Sequence, residues 1–278
     1  MLDIVADRVN AARKYVLLDE YVIKVIKAGK VIDFASGSPN TRLLPREEIK
    51  EIASRVLDEY GDEALSYPPS VGLRSLRDAI MSLLGELGVS LPNSKVVVTS
   101  GAVRAIELAS AVLLDRDSYA VTEEPTFSPA LYPLYALGRG IEHVLLKEYR
   151  ELDVSALGDV ISELSVKLYY TIPTAHNPTG TTFSNKARDE VAKVACENDV
   201  VIVEDDIYRT VLGGEAPEPI SAICARHSHT YVYLGSLSKV LAPGLRIAYM
   251  LVPKELFPHI RSVASTELTL SPLTMLIA

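Results

Sequence analysis

The sequence predicts an α/β protein built on a mainly parallel seven-stranded sheet with helices on both faces. Seven continuous apolar or β-branched runs predict the strands, at residues 96–99, 119–122, 143–146, 167–172, 200–203, 230–234 and 247–252. Unbroken runs of this kind are typical of strands that are buried on both faces of a sheet. Helix-like stretches, notably 186–197, separate several runs, and this alternation indicates parallel strands joined by crossover helices. The 278 residues suffice for a sizeable core.

The composition is that of an ordinary soluble protein and argues against two classes of partner. Hydrophobic residues make up 48% of the chain and charged residues 23%, with a formal net charge of -8. This acidic balance, without any basic run interleaved with aromatic residues, argues against nucleic-acid binding. Because no run of about 18 apolar residues occurs, we also expect no membrane span.

The cysteines and the first residues favour a cytoplasmic protein without a metal site. Cys196 and Cys224 are the only two cysteines, and they do not form a Cys-x-x-Cys pair. Zinc and a disulfide framework are therefore not expected, and two buried thiols in a reducing compartment are the simplest interpretation. Residues 1–14 mix charged and short apolar groups, without the long apolar core of a signal peptide.

The first 45 residues are interpreted as an irregular arm. A short helical pattern at 15–27 precedes a predicted strand at 31–35, which runs into a turn cluster around Gly37. Pro45 then opens a helix that extends to Tyr60, since proline and acidic residues favour the first helical turn. A second amphipathic helix begins near Leu73.

A strand that turns through small residues into a helix, at residues 95–114, is a candidate anion site. Gly101, Ala102 and Val103 stand at the turn, where free backbone N–H groups and the helix dipole would face a bound phosphate. An ordinary strand-to-helix connection is the alternative for this element taken alone.

Polar and aromatic residues follow three of the later strands. Phe127 comes after the second run, where it is either a core residue or an aromatic platform. Asn177 lies between prolines in the segment 173–180, a turn whose amide can reach a ligand. Asp205 and Tyr208 follow the buried run that ends at residue 203, although Asp206 could equally cap a helix there.

The segment 236–246 carries the candidate reactive group, Lys239. A lysine at the end of a buried strand can form a Schiff base with a carbonyl compound. Ser236, Ser238 and Arg246 can hold a phosphate through hydroxyl donors and a bidentate guanidinium. A solvated surface loop would contain the same residue types, and on these residues alone it remains the alternative.

The order of these residues resembles a known family. Ser-x-Ser-Lys-x-Leu-x-Pro-Gly-Leu-Arg is similar to the cofactor-lysine signature of the class I/II (fold type I) pyridoxal-phosphate-dependent aminotransferases. The Pro-Gly-Leu-Arg ending looks most like the 2-aminoadipate and kynurenine aminotransferase branch. The resemblance spans residues 30–278 and includes the Asn-Pro-Thr-Gly and Asp-x-x-Tyr elements. Ala248 replaces the usual glycine, and Ala102 and Val103 stand where many members have polar residues.

The resemblance implies a role for each candidate residue. Lys239 would hold pyridoxal phosphate as a Schiff base and later carry the proton, while Asp205 would face the pyridine nitrogen. Tyr208 and Asn177 would contact the ring oxygen, and Phe127 would stack on the ring. The implied phosphate ligands are Gly101, Ala102, Val103, Ser236, Ser238 and Arg246, with Tyr67 of the neighbouring subunit. Gly37 and Asn177 would line the substrate pocket.

The implied activity is transfer of an amino group between an amino acid and a 2-oxo acid, in a homodimer with shared active sites. A pyridoxal-phosphate carbon-sulfur lyase and a non-catalytic cofactor-binding remnant are the alternatives. Residues 1–45 would form an N-terminal arm and a small-domain segment, 46–255 the large cofactor-binding α/β domain and 256–278 the start of the C-terminal small domain. Because relatives continue well beyond Ala278, we expect that domain to be largely missing, together with the arginine that holds the substrate carboxylate.

Overall fold

A computed structural model describes residues 21, 23–25, 27–29, 32, 34, 37–148, 151–212, 216–266 and 269–278. The predicted helix at 15–27 and strand at 31–35 fall largely outside these residues. Within them, residues 21, 23–25 and 27 are helical. Ile32 and Phe34 are exposed and belong to no strand, so the strand prediction fails at these two positions.

One sheet of eight strands, counted over the described residues, forms the centre of the protein. The strands are Ser94–Thr99 (β1), Tyr119–Glu124 (β2), Gly140–Lys147 (β3), Glu151–Leu152 (β4), Val166–Thr171 (β5), Val201–Asp205 (β6), Tyr231–Ser236 (β7) and Ala248–Pro253 (β8). Their order in the sheet is β1-β8-β7-β6-β5-β2-β3-β4. The seven predicted runs are all strands. The unpredicted eighth strand, β4, has two residues and pairs with the end of β3.

Strand direction confirms a mainly parallel sheet. Strands β3, β2, β5, β6 and β7 are parallel neighbours, whereas β8 is antiparallel to both β7 and β1. Because β8 is antiparallel to both of its neighbours, β1 points in the same direction as β7. The carboxyl ends of β1, β2, β5, β6 and β7 therefore lie along one edge of the sheet, where open α/β sheets bind their ligands.

Helices cover both faces of the sheet, as predicted. They are Arg46–Ala64 (α1), Arg74–Glu86 (α2), Ala102–Leu113 (α3), Ser128–Leu137 (α4), Val154–Glu163 (α5), Asn185–Glu197 (α6), Arg209–Leu212 (α7), Ile220–Arg226 (α8), Phe257–Ala264 (α9) and Pro272–Ile277 (α10). One core cluster joins α2, α5, α6 and α8 to one face, and a second joins α3, α4 and α9 to the other. Helix α1 differs from the prediction, because Pro45 is its cap and it extends to Ala64.

Three expectations about composition can be compared with the described residues. No helix among them is long and apolar enough to cross a membrane. No group of three or more His, Cys, Asp or Glu side chains in that part of the chain is arranged to hold a metal ion. Both cysteines are free, but only Cys224 is buried, since Cys196 is partly exposed.

Candidate active site

Lys239 lies at the ligand-binding edge of the sheet because a short turn follows β7. The Ser236 hydroxyl accepts a hydrogen bond from the Ser238 backbone N–H at 3.2 Å and so caps the 3-10 turn Leu237–Lys239. The Lys239 ammonium donates to the Gly37 carbonyl at 2.5 Å and lies 5.6 Å from the Tyr208 ring centroid. The structure therefore brings Lys239, Gly37 and Tyr208 together.

The environment of Lys239 favours a reactive amine. Partial burial lowers the pKa of Lys239, while the negative charge of Asp205 opposes that effect. A lowered pKa increases the fraction of neutral amine, the form that attacks a carbonyl carbon. A lysine on a fully solvated loop would not have this property.

Asp205 is buried at the end of β6 and receives two hydrogen bonds. The Tyr170 hydroxyl donates to Oδ2 at 2.7 Å, and the Ile207 backbone N–H lies 3.4 Å from Oδ1. Burial raises the pKa of Asp205 to about 6, and the Tyr170 hydrogen bond is the strongest influence that opposes the rise. The carboxyl group is therefore mainly ionised at neutral pH.

Asp206 points to a different set of partners. Its carboxylate accepts hydrogen bonds from Arg209 and from the Tyr233 hydroxyl, and the Arg209 contact is a buried ion pair. Asp206 lies just beyond the end of β6, and its carboxylate already has a cation and a hydrogen-bond donor of its own. Of the two acidic residues, Asp205 is the one whose charge interacts with Lys239.

Asn177 and Tyr208 meet at the same edge. The Asn177 side-chain amide donates to the Tyr208 hydroxyl at 3.3 Å. A tight turn presents Asn177, because the His176 backbone N–H donates to the Thr181 carbonyl at 2.7 Å and its carbonyl accepts from Gly180 at 2.6 Å. Gly180 has a φ of +74°, a conformation that side chains disfavour. Burial, reinforced by Asp205, raises the pKa of Tyr208, so its hydroxyl stays protonated.

The start of α3 and Arg246 form a cradle suited to a phosphate. Gly101 caps the helix with a φ of +107°, and a Cβ there would lie 2.1 Å from Arg246 Nη2. Arg246 itself adopts the left-handed conformation, with Nη2 3.4 Å from the Ser100 carbonyl. The guanidinium thus lies beside a helix N-terminus, where free N–H groups already favour an anion.

The rest of the predicted phosphate set is compatible with this cradle. The Ser236 hydroxyl donates to the Ser238 hydroxyl at 3.0 Å, so both lie close together before Lys239. Ala102 and Val103 are the first two residues of α3, where backbone N–H groups have no partner within the helix. Their apolar side chains add nothing polar, so any contact from them to an anion is through the backbone.

Two predicted site residues are not joined to this group. Phe127 caps α4 and packs, partly buried, against the core of the α3 and α4 face. Tyr67 is 83% exposed on the connection between α1 and α2. Neither side chain forms a hydrogen bond or charged-ring contact with Lys239 in the described part of the chain. The stacking role of Phe127 and the intersubunit role of Tyr67 remain predictions.

Several buried polar residues near the site were not identified from the sequence. Tyr170 binds Asp205, and its neighbour Tyr169 donates to Glu123 Oε1 at 2.7 Å. His176, to which the sequence assigned no role, is buried with Nε2 3.9 Å from Glu123 Oε2. Tyr169 and Tyr170 lie within an apolar run and Glu123 directly follows one, whereas His176 lies in a turn segment, so the polarity of these residues was the only available signal.

A lysine beside a buried carboxylate, with an anion cradle at the same carboxyl edge of an α/β sheet, suits a phosphorylated carbonyl cofactor. The chain matches the model of the family aminotransferase class I and II over residues 29–277. It belongs to that family. The predicted family and its cofactor, pyridoxal phosphate, are thereby confirmed.

Individual relatives agree with this assignment. The chain is 34% identical over 236 residues to a 2-aminoadipate transaminase of Thermus thermophilus, covering 84% of this chain and 58% of that protein. A kynurenine aminotransferase of Pyrococcus horikoshii, solved with PMP, superposes with a TM-score of 0.82 at 28% identity, covering 99% of this chain and 67% of that one. An uncharacterised HTH-type transcriptional regulator of Bacillus subtilis is 31% identical, with 84% and 48% covered. The chain thus spans about half the length of the curated relatives that it matches.

Proposed function

We propose that this chain forms the cofactor-binding part of an aminotransferase that moves an amino group between an amino acid and a 2-oxo acid. The observation that carries the proposal is the position of Lys239, with its ammonium 2.5 Å from the Gly37 carbonyl and next to Tyr208. Membership of the family supports the same activity. A solvated loop lysine would have neither the buried carboxylate nor the anion cradle beside it.

The residues present fit pyridoxal phosphate. Arg246 and the first N–H groups of α3 would hold the phosphate, and Asp205 would pair with the ring nitrogen. Tyr208, oriented by Asn177, would donate a hydrogen bond to the ring oxygen, and Lys239 would bond to the aldehyde carbon. The further predicted ligands are Phe127 over the ring, Ser236 and Ser238 at the phosphate, and Gly37 facing the substrate.

When bound, pyridoxal phosphate supplies an electron sink that stabilises negative charge at the substrate α-carbon. The chain then has to move a proton and to keep the ring nitrogen charged. Lys239, with its lowered pKa, would accept the proton from the substrate α-carbon and return it to the aldehyde-derived carbon of the cofactor. Asp205, mainly ionised at neutral pH, would stabilise a positive charge on the ring nitrogen.

A cofactor-binding module without turnover is the second candidate. The relationship to a transcriptional regulator favours it, since 31% identity extends over 84% of this chain. No comparable observation favours the carbon-sulfur lyase. The dependence of turnover on a 2-oxo acid separates the aminotransferase from both alternatives, because only an aminotransferase needs a second 2-oxo acid to regenerate its cofactor.

Further proposals concern the assembly and setting of the protein. We propose a homodimer in which Tyr67 reaches the partner's phosphate site, which its exposure permits. The division of the chain into domains at residues 45 and 255 is likewise a proposal. Helix α9, which begins just after residue 255, packs with α3 in the core next to the sheet. The two free thiols support a reducing, cytoplasmic setting.

The experiment is an absorbance titration of the purified chain with pyridoxal phosphate. Lys239→Ala is compared with Lys254→Ala, a surface lysine whose side chain is largely exposed. We expect a Schiff-base band in the wild type and in Lys254→Ala but not in Lys239→Ala. Glutamate should bleach the band, and 2-oxoglutarate should restore it.

The other outcomes are equally informative. A band that depends on Lys239 but is unchanged by a panel of amino acids would favour the binding module over the aminotransferase. Bleaching that yields a 2-oxo acid and ammonia without need of a second oxo acid would favour a lyase. A band of equal strength in both alanine variants would contradict the assignment of Lys239.

A further inference from the structure

We propose that Tyr170 is a positioning residue that keeps Asp205 oriented and ionised, so that the cofactor's ring nitrogen stays protonated. This inference rests on the proposed function, in which Asp205 pairs with that nitrogen. It assigns a role to a buried tyrosine that no sequence motif singles out.

The sheet itself brings the two side chains together. In the register of β5 and β6, Tyr170 lies opposite Val203, and Asp205 lies two residues farther along on the same face. This diagonal arrangement is within reach of a long aromatic side chain. Tyr170 is completely buried, and its hydroxyl lies 2.7 Å from Asp205 Oδ2.

Tyr170 provides the stronger of two hydrogen bonds to the carboxylate. The second, from the Ile207 backbone N–H to Oδ1, has a length of 3.4 Å. Within the described residues, Tyr170 is the only side chain that donates to Asp205. Hydrogen bonds that involve an ionised partner are short and stabilise the charged form.

The charged groups around Asp205 make the Tyr170 hydrogen bond important for keeping its carboxyl group ionised. Burial and the adjacent Asp206 favour the protonated carboxyl, whereas Tyr170 and Lys239 favour the carboxylate. Tyr208 also interacts electrostatically with Asp205, and Glu123 does so with Tyr170. Lys239 cannot balance the carboxylate while its nitrogen is neutral. Tyr170 is then the remaining side chain that stabilises the anion.

Tyr169 provides a matched control. It is the next residue on β5, is completely buried and donates a hydrogen bond of the same 2.7 Å length to the Glu123 carboxyl. Because it points to the opposite face of the sheet, its hydroxyl does not contact Asp205. Tyr169→Phe and Tyr170→Phe therefore remove the same chemical group from the same strand, but only the second should affect the ring nitrogen.

The test uses nuclear magnetic resonance of the full chain with selective labels. With pyridoxal phosphate labelled with ¹⁵N in the ring, the chemical shift reports whether the nitrogen is protonated. We expect a protonated nitrogen at neutral pH in the wild type and in Tyr169→Phe, and a substantially smaller protonated fraction in Tyr170→Phe. Without its hydrogen bond the carboxylate is a stronger base, so it takes the proton from the ring.

A second measurement needs no cofactor. In the ligand-free chain labelled with ¹³C at the Asp carboxyls, the Asp205 signal is assigned by its absence from Asp205→Asn. Tyr170→Phe should increase the proton affinity of this carboxyl by about tenfold, because a hydrogen bond to a charged group is lost. Tyr169→Phe should leave it within about twofold of the wild type.

The possible results separate the inference from the proposed function. If Tyr170→Phe keeps the wild-type nitrogen shift and carboxyl titration, or if both phenylalanine variants change alike, the inference is overturned while Lys239-dependent binding stands. If the wild type forms no Lys239-dependent band with the cofactor, the proposed function is overturned and the cofactor role of Tyr170 with it.

Discussion

Glu123 and His176 form a buried pair of titratable groups behind the site, with opposite dependences on pH. Burial raises the pKa of Glu123 from its ordinary value of 4.5 to about 7, so the folded protein holds a proton that the unfolded chain has released. Burial lowers the pKa of His176 from 6.5 to about 4, so the folded protein excludes a proton that the unfolded chain binds. Glu123 thus reduces stability as the pH rises from about 4.5 to 7, and His176 reduces it as the pH falls from about 6.5 to 4.

Glu123→Gln isolates the first of these effects, because glutamine keeps an acceptor for the Tyr169 hydroxyl but does not titrate. Between pH 5 and 7.5, the free energy of unfolding of this variant relative to the wild type should rise by on the order of 1–3 kcal/mol. Urea denaturation at several pH values measures it. Glu124→Gln, at the exposed neighbouring position, is the control and should follow the wild type. Parallel pH profiles for Glu123→Gln and the wild type would refute the prediction.

The reactive residues could be predicted from the sequence, but their supporting residues could not. Lys239 and Asn177 stand in turn segments that a surface loop could also contain, and the order of the motifs along the chain identified them. Asp205 could be distinguished from Asp206 only by its spacing from Tyr208. Tyr170 lies inside an apolar run, and its contact with Asp205 depends on the register of two strands that are 35 residues apart in sequence. No local pattern specifies that register.

At the level of single elements, Arg188 of α6 anchors the connection that presents Asn177. Its side chain is completely buried, and Nη2 donates to the Pro173 carbonyl at 2.7 Å while Nε donates to the Phe183 carbonyl at 3.0 Å. Nη1 lies 3.2 Å from the Glu218 carbonyl and 3.6 Å from Glu204 Oε1. One guanidinium therefore fixes both ends of the segment 173–183 and neutralises a buried carboxylate.

Arg188→Met should lower the free energy of unfolding by about 3 kcal/mol or more, since it leaves Glu204 buried without its cation. Lys193→Met on the exposed side of the same helix should change it by less than about 0.5 kcal/mol. Chemical denaturation measures both variants. Arg188→Lys should also destabilise, because an ammonium cannot reproduce the planar fork that holds several carbonyls. Equal stabilities of the methionine variants would contradict this role.

Elements with a strong local pattern were predicted correctly, and those without one were missed. The seven apolar runs are strands, and α2, α3 and α6 begin within a residue or so of the expected positions. Strand β4 was missed because two residues carry no periodicity, and it exists only through pairing with β3. Helix α1 continues four residues past its expected end at Tyr60, where the backbone leaves helical geometry, with a φ of −126°, before the helix resumes.

For the molecule as a whole, alternating strands and helices predict a parallel sheet with its ligands at one edge, but not the order of the strands. The antiparallel direction of β8 follows from its connection to β7, which contains only short turns and no crossover helix. That reversal places Arg246 at the same edge as Lys239. Strand β1 joins the sheet beside β8, which brings Gly101 to Arg246 across 145 residues of sequence.

The proposed homodimer gives a prediction about the whole molecule. Large apolar side chains are exposed along residues 43–67, among them Leu65 at 76% and Tyr67 at 83%. Several exposed large apolar side chains in one segment are typical of a protein–protein interface. We expect sedimentation velocity to give twice the 30.3 kDa mass of the chain. Leu65→Asp should give the monomer with unchanged circular dichroism, because a charge is costly in an interface but not on a free surface.

Leu145→Asp, 64% exposed on β3, is the control and should remain dimeric. A monomeric wild type, or equal dissociation of both variants, would contradict the interface at residues 43–67.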